Sequence, residues 1–446
     1  MRVVLGGYIL LSRQVAREIE FRGGEDPWAG LGAFLKGADV VGNLEGAVGS
    51  KRECLPEAEP CFPIQPAHLR LLKSAPFTAV SLENNHSADL GPGARGRTQE
   101  LLREAGIEPL SLEDSPTFIR RGDVTLAIVP FSAEGLRGDP YALLRHTLRQ
   151  RLRLARGLAD WVIAYVHWGN ELQDWPGPKE QELAAWLVAN GADLVAGHHP
   201  HVAIEPGCVA SRPVFYSLGN LLFDQKYPQT RAGLLADCSF TAASFSCRAA
   251  RTAARTGSFY PVLAEKDRQT ESLSSCRPER PSKSESGQQL QVAIPAGVHS
   301  AGRAMEFEMH SPGKRPISIT ANAPLRALEW GKFAQNGETS LFALEERYSD
   351  IDGAVAPRPY VYKIADRGLR ALWRGSALAW PLLDATLLCG KECRLCALHR
   401  GDSFAVPRAD ARPLRSMAYR WDGFGFAAAD DKPLSEECRR YFELEP

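Results

Sequence analysis

One alternation dominates the first half of the chain and limits what it can become: short apolar runs of strand length take turns with amphipathic stretches. The runs are VVLGG (3–7), VVGNLE (40–45), FTAVSLENN (77–85), VTLAIVPF (124–131), WVIAYVHW (161–168), DLVAGHH (193–199) and VFYSLGN (214–220). PAHLRLLKSA (66–75), RTQELLREAG (97–106), YALLRHTLRQRLRLA (141–155) and PKEQELAAWLVANG (178–191) lie between them and read as helices. Strand alternating with helix predicts an α/β domain over residues 1–238.

Six of the runs end in chemically distinctive residues. These are Gly6-Gly7, Asn43-Leu44-Glu45, Asn84-Asn85-His86, His167-Trp168-Gly169, His198-His199-Pro200-His201 and Ser217-Leu218-Gly219-Asn220. In an α/β sheet the carboxyl ends of the strands line one crevice, so side chains far apart in sequence meet there. His, Asn and Glu are ligand types for manganese, iron or zinc, and His-x-His after a strand can offer two imidazoles to one divalent ion. Three of the chain's ten histidines fall within GHHPH.

Composition narrows the function classes. Fifty-three basic residues balance fifty-three acidic ones, so no general pull toward nucleic acid or an anionic membrane exists, and an anionic ligand needs a local site. No apolar stretch reaches membrane-spanning length and no signal-peptide core follows Met1, which predicts a cytoplasmic protein without a transmembrane segment. The ten cysteines are scattered through a long chain and read mostly as reduced thiols.

VGNLEGAV, SLENNHSADLG, the run from VIAYVHWGNE through GADLVAGHHPHVAIEPG, and YSLGNLLFDQ together resemble the CapA family of capsule (poly-γ-glutamate) synthesis proteins, over about residues 2–226. The resemblance implies a metallophosphatase-like four-layer αββα sandwich with a metal centre at its strand ends. It also implies work on an anionic envelope polymer or phosphoester substrate, with capsule-assembly proteins as partners. By the same resemblance Glu45, Asn85, His167, His199 and His201 are metal ligands, and His86 stands beside the leaving group as general acid or transition-state stabiliser. Either His198 or His199 coordinates, the other making an outer hydrogen bond. Glu171 and Asn220 are outer or substrate-contacting groups. Family members usually begin with a strand ending in Gly-Asp, the Asp being a ligand. This chain reads Leu5-Gly6-Gly7-Tyr8, with Gly7 expected in the Asp position. Two functions fit: a metal-dependent hydrolase of phosphoesterase type, or a non-catalytic scaffold of an envelope-assembly complex.

The remainder differs in character. Residues 239–318 are rich in Ser, Arg and Thr with weak periodicity and read as linker or irregular surface. Residues 319–430 form a β-rich domain with an internal echo: SLFAL (340–344) recurs as RLCAL (394–398), and VYKIADRGLRALWRGSAL (361–378) loosely as AYRWDGFGFAA (418–428). Propeller-blade or sandwich-like packing follows. Gly91-Pro-Gly93-Ala-Arg-Gly96 reads as a turn into a helix rather than a nucleotide loop. Cys393 and Cys396 read as small residues of a strand hairpin rather than as a metal knuckle with Cys389. In HTLRQRLRLAR (146–156), Leu148, Leu152 and Leu154 face the core and the basic residues a solvated face. Trp373, Trp380, Tyr419 and Trp421 read as core aromatics. No G-x-S-x-G serine-nucleophile signature occurs.

Overall fold

The computed structural model describes the chain except for residues 137, 265–270, 274–275, 277–290, 311–315, 334–338, 350–353, 366–367, 376–377, 379–381, 391–392, 401–413, 424, 430–431 and 443–446. Parts of the segment 239–318, and Trp380, lie outside the described residues; its described part is not all linker or irregular, since Phe245–Ala254 is a strand of the first sheet. Two compact units are present: Met1–Gly138 with Ala159–Lys283, and Asp139–Leu158 with Ser284–Pro446.

The first unit is mixed α/β. At the centre of one sheet runs Arg2–Leu10, with Asp39–Glu45, Phe77–Ser81 and Glu108–Leu110 following in parallel on one side. Ala232–Phe240 and Phe245–Ala254 complete its other side in antiparallel pairing. A second sheet carries Val124–Ser132, Trp161–His167, Leu194–His198 and Arg212–Phe215, all parallel. These strands read as unbroken apolar runs because they are covered on both faces: Val162, Ile163, Val195 and Ala196 have no exposed surface. The sheets meet where the Tyr165 hydroxyl donates to the Gly6 carbonyl at 2.8 Å.

Register sets the chemistry. Ser132 lies opposite His167, and His167 opposite His198, so the parallel strands of the second sheet end level with one another. In the first sheet Tyr8 pairs with both Asn43 and Asn220, after a register shift that follows Leu5. Gly93, at φ +83°, turns the chain into the helix Ala94–Glu104, as the glycine spacing suggests.

The second unit is β-rich. Leu325–Lys332, Thr339–Ser349, Ala354–Ala365 and Gly368–Arg374 form one four-stranded antiparallel sheet, and Leu382–Cys389, Cys393–Arg400, Leu414–Trp421 and Phe426–Ala428 form another. SLFAL and RLCAL each lie on the second strand of their sheet. Phe342, Leu344 and Val361 of one sheet pack with Ala385, Leu395 and Tyr419 of the other, a sandwich core against which Trp373 and Trp421 also rest.

Three expectations need correction. The helix Gly138–Leu158, continuous in sequence with the first domain, is almost wholly part of the second unit. Leu148, Leu152 and Leu154 are buried as expected, but so are Arg149 and Arg151, and Arg153 pairs with Glu329 and Asp384; its basic side chains are not a solvated face. The cysteines are not reduced thiols. All ten pair, as Cys54–Cys61, Cys208–Cys276, Cys238–Cys247, Cys389–Cys393 and Cys396–Cys438. Cys238 faces Cys247, and Cys389 faces Cys393, across antiparallel strands, a proximity that scattered spacing conceals. No helix among the described residues is long and apolar enough to cross a membrane.

Candidate metal centre

The strand ends deliver two groups of side chains to one crevice. The first is Glu134, two residues beyond Val124–Ser132, with His167 and His199. Glu134 Oε2 lies 3.4 Å from His167 Nδ1, and its Oε1 lies 3.4 Å from His199 Nε2. One ligand atom from each of the three falls within 4.8 Å of the others. The second group centres on Glu45, whose Oε1 is 3.7 Å from His86 Nε2 and 3.9 Å from His201 Nε2. His199 and His201 aim their rings from left-handed backbone, at φ +103° and +57°. A non-glycine residue there stores strain, and strain of this kind persists where the surroundings impose it at functional sites.

Neighbours orient the imidazoles. His201 Nδ1 donates to Asn220 Oδ1 at 2.8 Å; the Asn220 amide nitrogen is committed to Gln225 Oε1 and the Thr230 carbonyl, both at 3.0 Å, which identifies its oxygen as the acceptor. The His201 Nε2 lone pair is thereby presented toward Glu45. His86 gives its Nδ1 proton to Asp89 at 3.0 Å, stacks on Phe62 and turns Nε2 to the crevice. Asn84 donates to Asn43 Oδ1 and the Leu44 carbonyl and accepts from the His86 amide, tying that loop to the strand that carries Glu45.

Burial tunes these groups toward ligation. It lowers His198 and His201 to about 3 and His199 to about 4, and holds His167 well below the usual range. The four rings are neutral at physiological pH, the state in which imidazole binds metal. Burial, with Glu171 and Asp89 adding repulsion, pushes Glu45 well up. Burial also raises Glu134. The Glu134, His167 and His199 donors are of the type and spacing that can hold a metal ion. Glu45 Oε2, His167 Nε2, His199 Nδ1, both nitrogens of His198 and the Tyr8 hydroxyl are buried with no hydrogen-bond partner. Protein interiors satisfy nearly all buried polar atoms, so this concentration fits a bound cation and its ligands.

Most of the sequence candidates converge here. His199, rather than His198, stands with Glu134 and His167; His198 packs on Tyr165 with ring centroids 4.2 Å apart. Glu171 is exposed, and its charge acts on both Glu45 and Glu134. Asn85 corrects an expectation: it is exposed, while Asn84 is the buried member of the pair. Position 7 corrects another. A Cβ on Gly7 would lie 1.9 Å from the Gly219 carbonyl oxygen, so no side chain fits there. The residue of that strand whose side chain reaches the histidines is Tyr8, stacked on His201 at 4.4 Å and edge-on to His167 and His198. Glu134 was not among the sequence candidates, although it lies just past the end of VTLAIVPF, where the strand-end rule would find it.

The chain matches the model of the family described as bacterial capsule synthesis protein PGA_cap over residues 2–225. It is 26% identical over 258 residues to the capsule biosynthesis protein CapA of Bacillus anthracis, covering 53% of this chain and 62% of that protein. It is 28% identical over 249 residues to the PGA biosynthesis protein CapA of Bacillus subtilis (strain 168), covering 51% of this chain and 65% of that one. The matches thus span less than two thirds of either relative's length. With half its length accounted for by the family model, and the crevice residues inside the matched region, the chain belongs to the PGA_cap family of bacterial capsule synthesis proteins.

Proposed function

We propose that this capsule-synthesis protein is a metal-dependent hydrolase of phosphoesterase type, acting on an anionic envelope polymer or a phosphoester linked to it. The carrying observation is the Glu134–His167–His199 group, three donors of metal-ligand type within 4.8 Å. Glu45 and His201 would hold the ion's other side or a second ion of the manganese, iron or zinc kind. When bound, the ion supplies Lewis acidity that makes water nucleophilic near neutral pH. His86, oriented by Asp89, would give a proton to a departing oxygen. Asn220 holds His201 in the tautomer that faces Glu45. A four-layer αββα arrangement of the first unit is part of the same reading, supported by the two sheets that meet at Tyr165. Five disulfides support action in an oxidising compartment instead of the cytoplasm.

The test is elemental analysis of purified protein with and without chelator, paired with phosphomonoester and phosphodiester hydrolysis. Stoichiometric metal with chelator-sensitive turnover is expected. A folded, metal-free protein that takes up no ion and cleaves no ester would overturn the proposal in favour of a scaffold.

A further inference from the structure

Among the described residues of the crevice, Tyr8 is the aromatic hydroxyl that has no bond to give or receive. It is fully buried, and its oxygen has no hydrogen-bond partner. Tyr165, the neighbouring buried tyrosine, gives its proton to the Gly6 carbonyl at 2.8 Å. A phenol taken from water without a partner is a desolvated donor that native structures rarely tolerate. The surroundings name the partner. The Tyr8 ring stacks on His201 and meets His167 and His198 edge-on, and the carboxylates of Glu45, Glu134 and Glu171 all act on its oxygen. Phe223 and Tyr165 also border the ring, but the polar groups gathered with it are imidazoles and carboxylates, the donor types that bind a cation.

From this geometry we infer that Tyr8 is an oxygen ligand of the metal centre, taking the ligand place that Gly7 cannot fill. The inference rests on the metal-centre reading above. On ligation the phenolic O–H bond breaks, the proton passes to solvent and an oxygen–metal bond forms, with no change of oxidation state. A phenolate carries the same single negative charge as a carboxylate, so the charge of the site is kept. As a hard, strongly donating oxygen it also favours iron(III), which tyrosine ligates in other proteins.

The experiment strips the full chain with chelator, reloads it with iron(III), and records bound iron and the visible spectrum for the wild type, Tyr8→Phe and Tyr165→Phe. A tyrosinate-to-iron charge-transfer band is expected in the wild type and Tyr165→Phe and is absent from Tyr8→Phe, whose iron affinity falls at least about 10-fold. Should Tyr8→Phe fail to fold, resonance Raman on the wild type alone shows whether tyrosinate modes accompany the band. Stoichiometric iron without the band, or an unchanged band in Tyr8→Phe, overturns the role of Tyr8 and leaves the metal centre standing. Failure to bind iron, zinc and manganese alike overturns both.

Discussion

Each unit buries a charged cluster, and the two are finished differently. In the second unit Arg153 lies against Glu329 at 2.8 Å, donates to Asp384 at 3.1 Å and to the Ala385 carbonyl at 2.7 Å, and bonds the Tyr441 hydroxyl at 2.8 Å. Glu329 in turn accepts from Thr386 and from the Leu387 amide. Opposite charges meet and the surrounding donors close on them. In the first unit carboxylates and imidazoles are gathered, the nearby Arg13 is paired with Asp224, and several buried atoms are left over. A cluster that completes itself holds a fold together; one with buried donors left over is a candidate for binding a further group.

The sharpest way to break this contrast is to remove one donor from each cluster. His167→Ala deletes a ligand and should lower ester hydrolysis on the order of 10³-fold or more, the several kcal/mol that a correctly held ion contributes. Its unfolding midpoint without metal should stay near that of the wild type. If turnover survives, the crevice is not the catalytic site. Arg153→Met should do the reverse: it strands Glu329 and Asp384 and costs about 3 kcal/mol in denaturant unfolding. Metal stoichiometry should hold at the wild-type value, and its loss would show that the Arg153 cluster is not purely structural.

A subtler change sharpens the contrast within the crevice. Asp89→Asn weakens the hold on His86 without touching Glu134, His167 or His199, and should lower turnover about 10–100-fold with bound metal unchanged. The carboxylate lost is the one that holds the His86 ring in place. Equal loss of metal and turnover would instead make His86 part of the ligand set.

Much of this crevice was legible from strand ends alone. Apolar runs ending in His167, in GHHPH and in NLE share a geometric fate, since parallel strands in register finish at one edge. Local backbone detail was not legible. The register shift after Leu5 decides which residue of Gly6-Gly7-Tyr8 faces the histidines, and a one-residue change in a strand reverses the face. The same problem separates exposed Asn85 from buried Asn84. Glu134 escaped because it stands in the loop past its apolar run, where periodicity has no more to say. The disulfides depended on tertiary pairing: Cys208 meets Cys276 across 68 positions that no spacing rule connects.

His198 gives the smallest effect and the cleanest one, because burial alone accounts for its shift to about 3. Its value in the unfolded chain is near 6.5, so below that pH the unfolded state takes up a proton that the folded state refuses. Stability contributed by a neutral His198 is therefore whole above about pH 6.5 and falls as the pH drops toward the folded value. Against a His198→Phe variant, which cannot titrate, the metal-free wild type should lose about 1 kcal/mol between pH 6.5 and 5.5. Denaturant unfolding of both proteins across that interval measures the difference directly. Parallel curves would mean that His198 is charged in the fold, with a counter-ion in its surroundings, and the crevice would then resemble the Arg153 cluster more than the contrast allows.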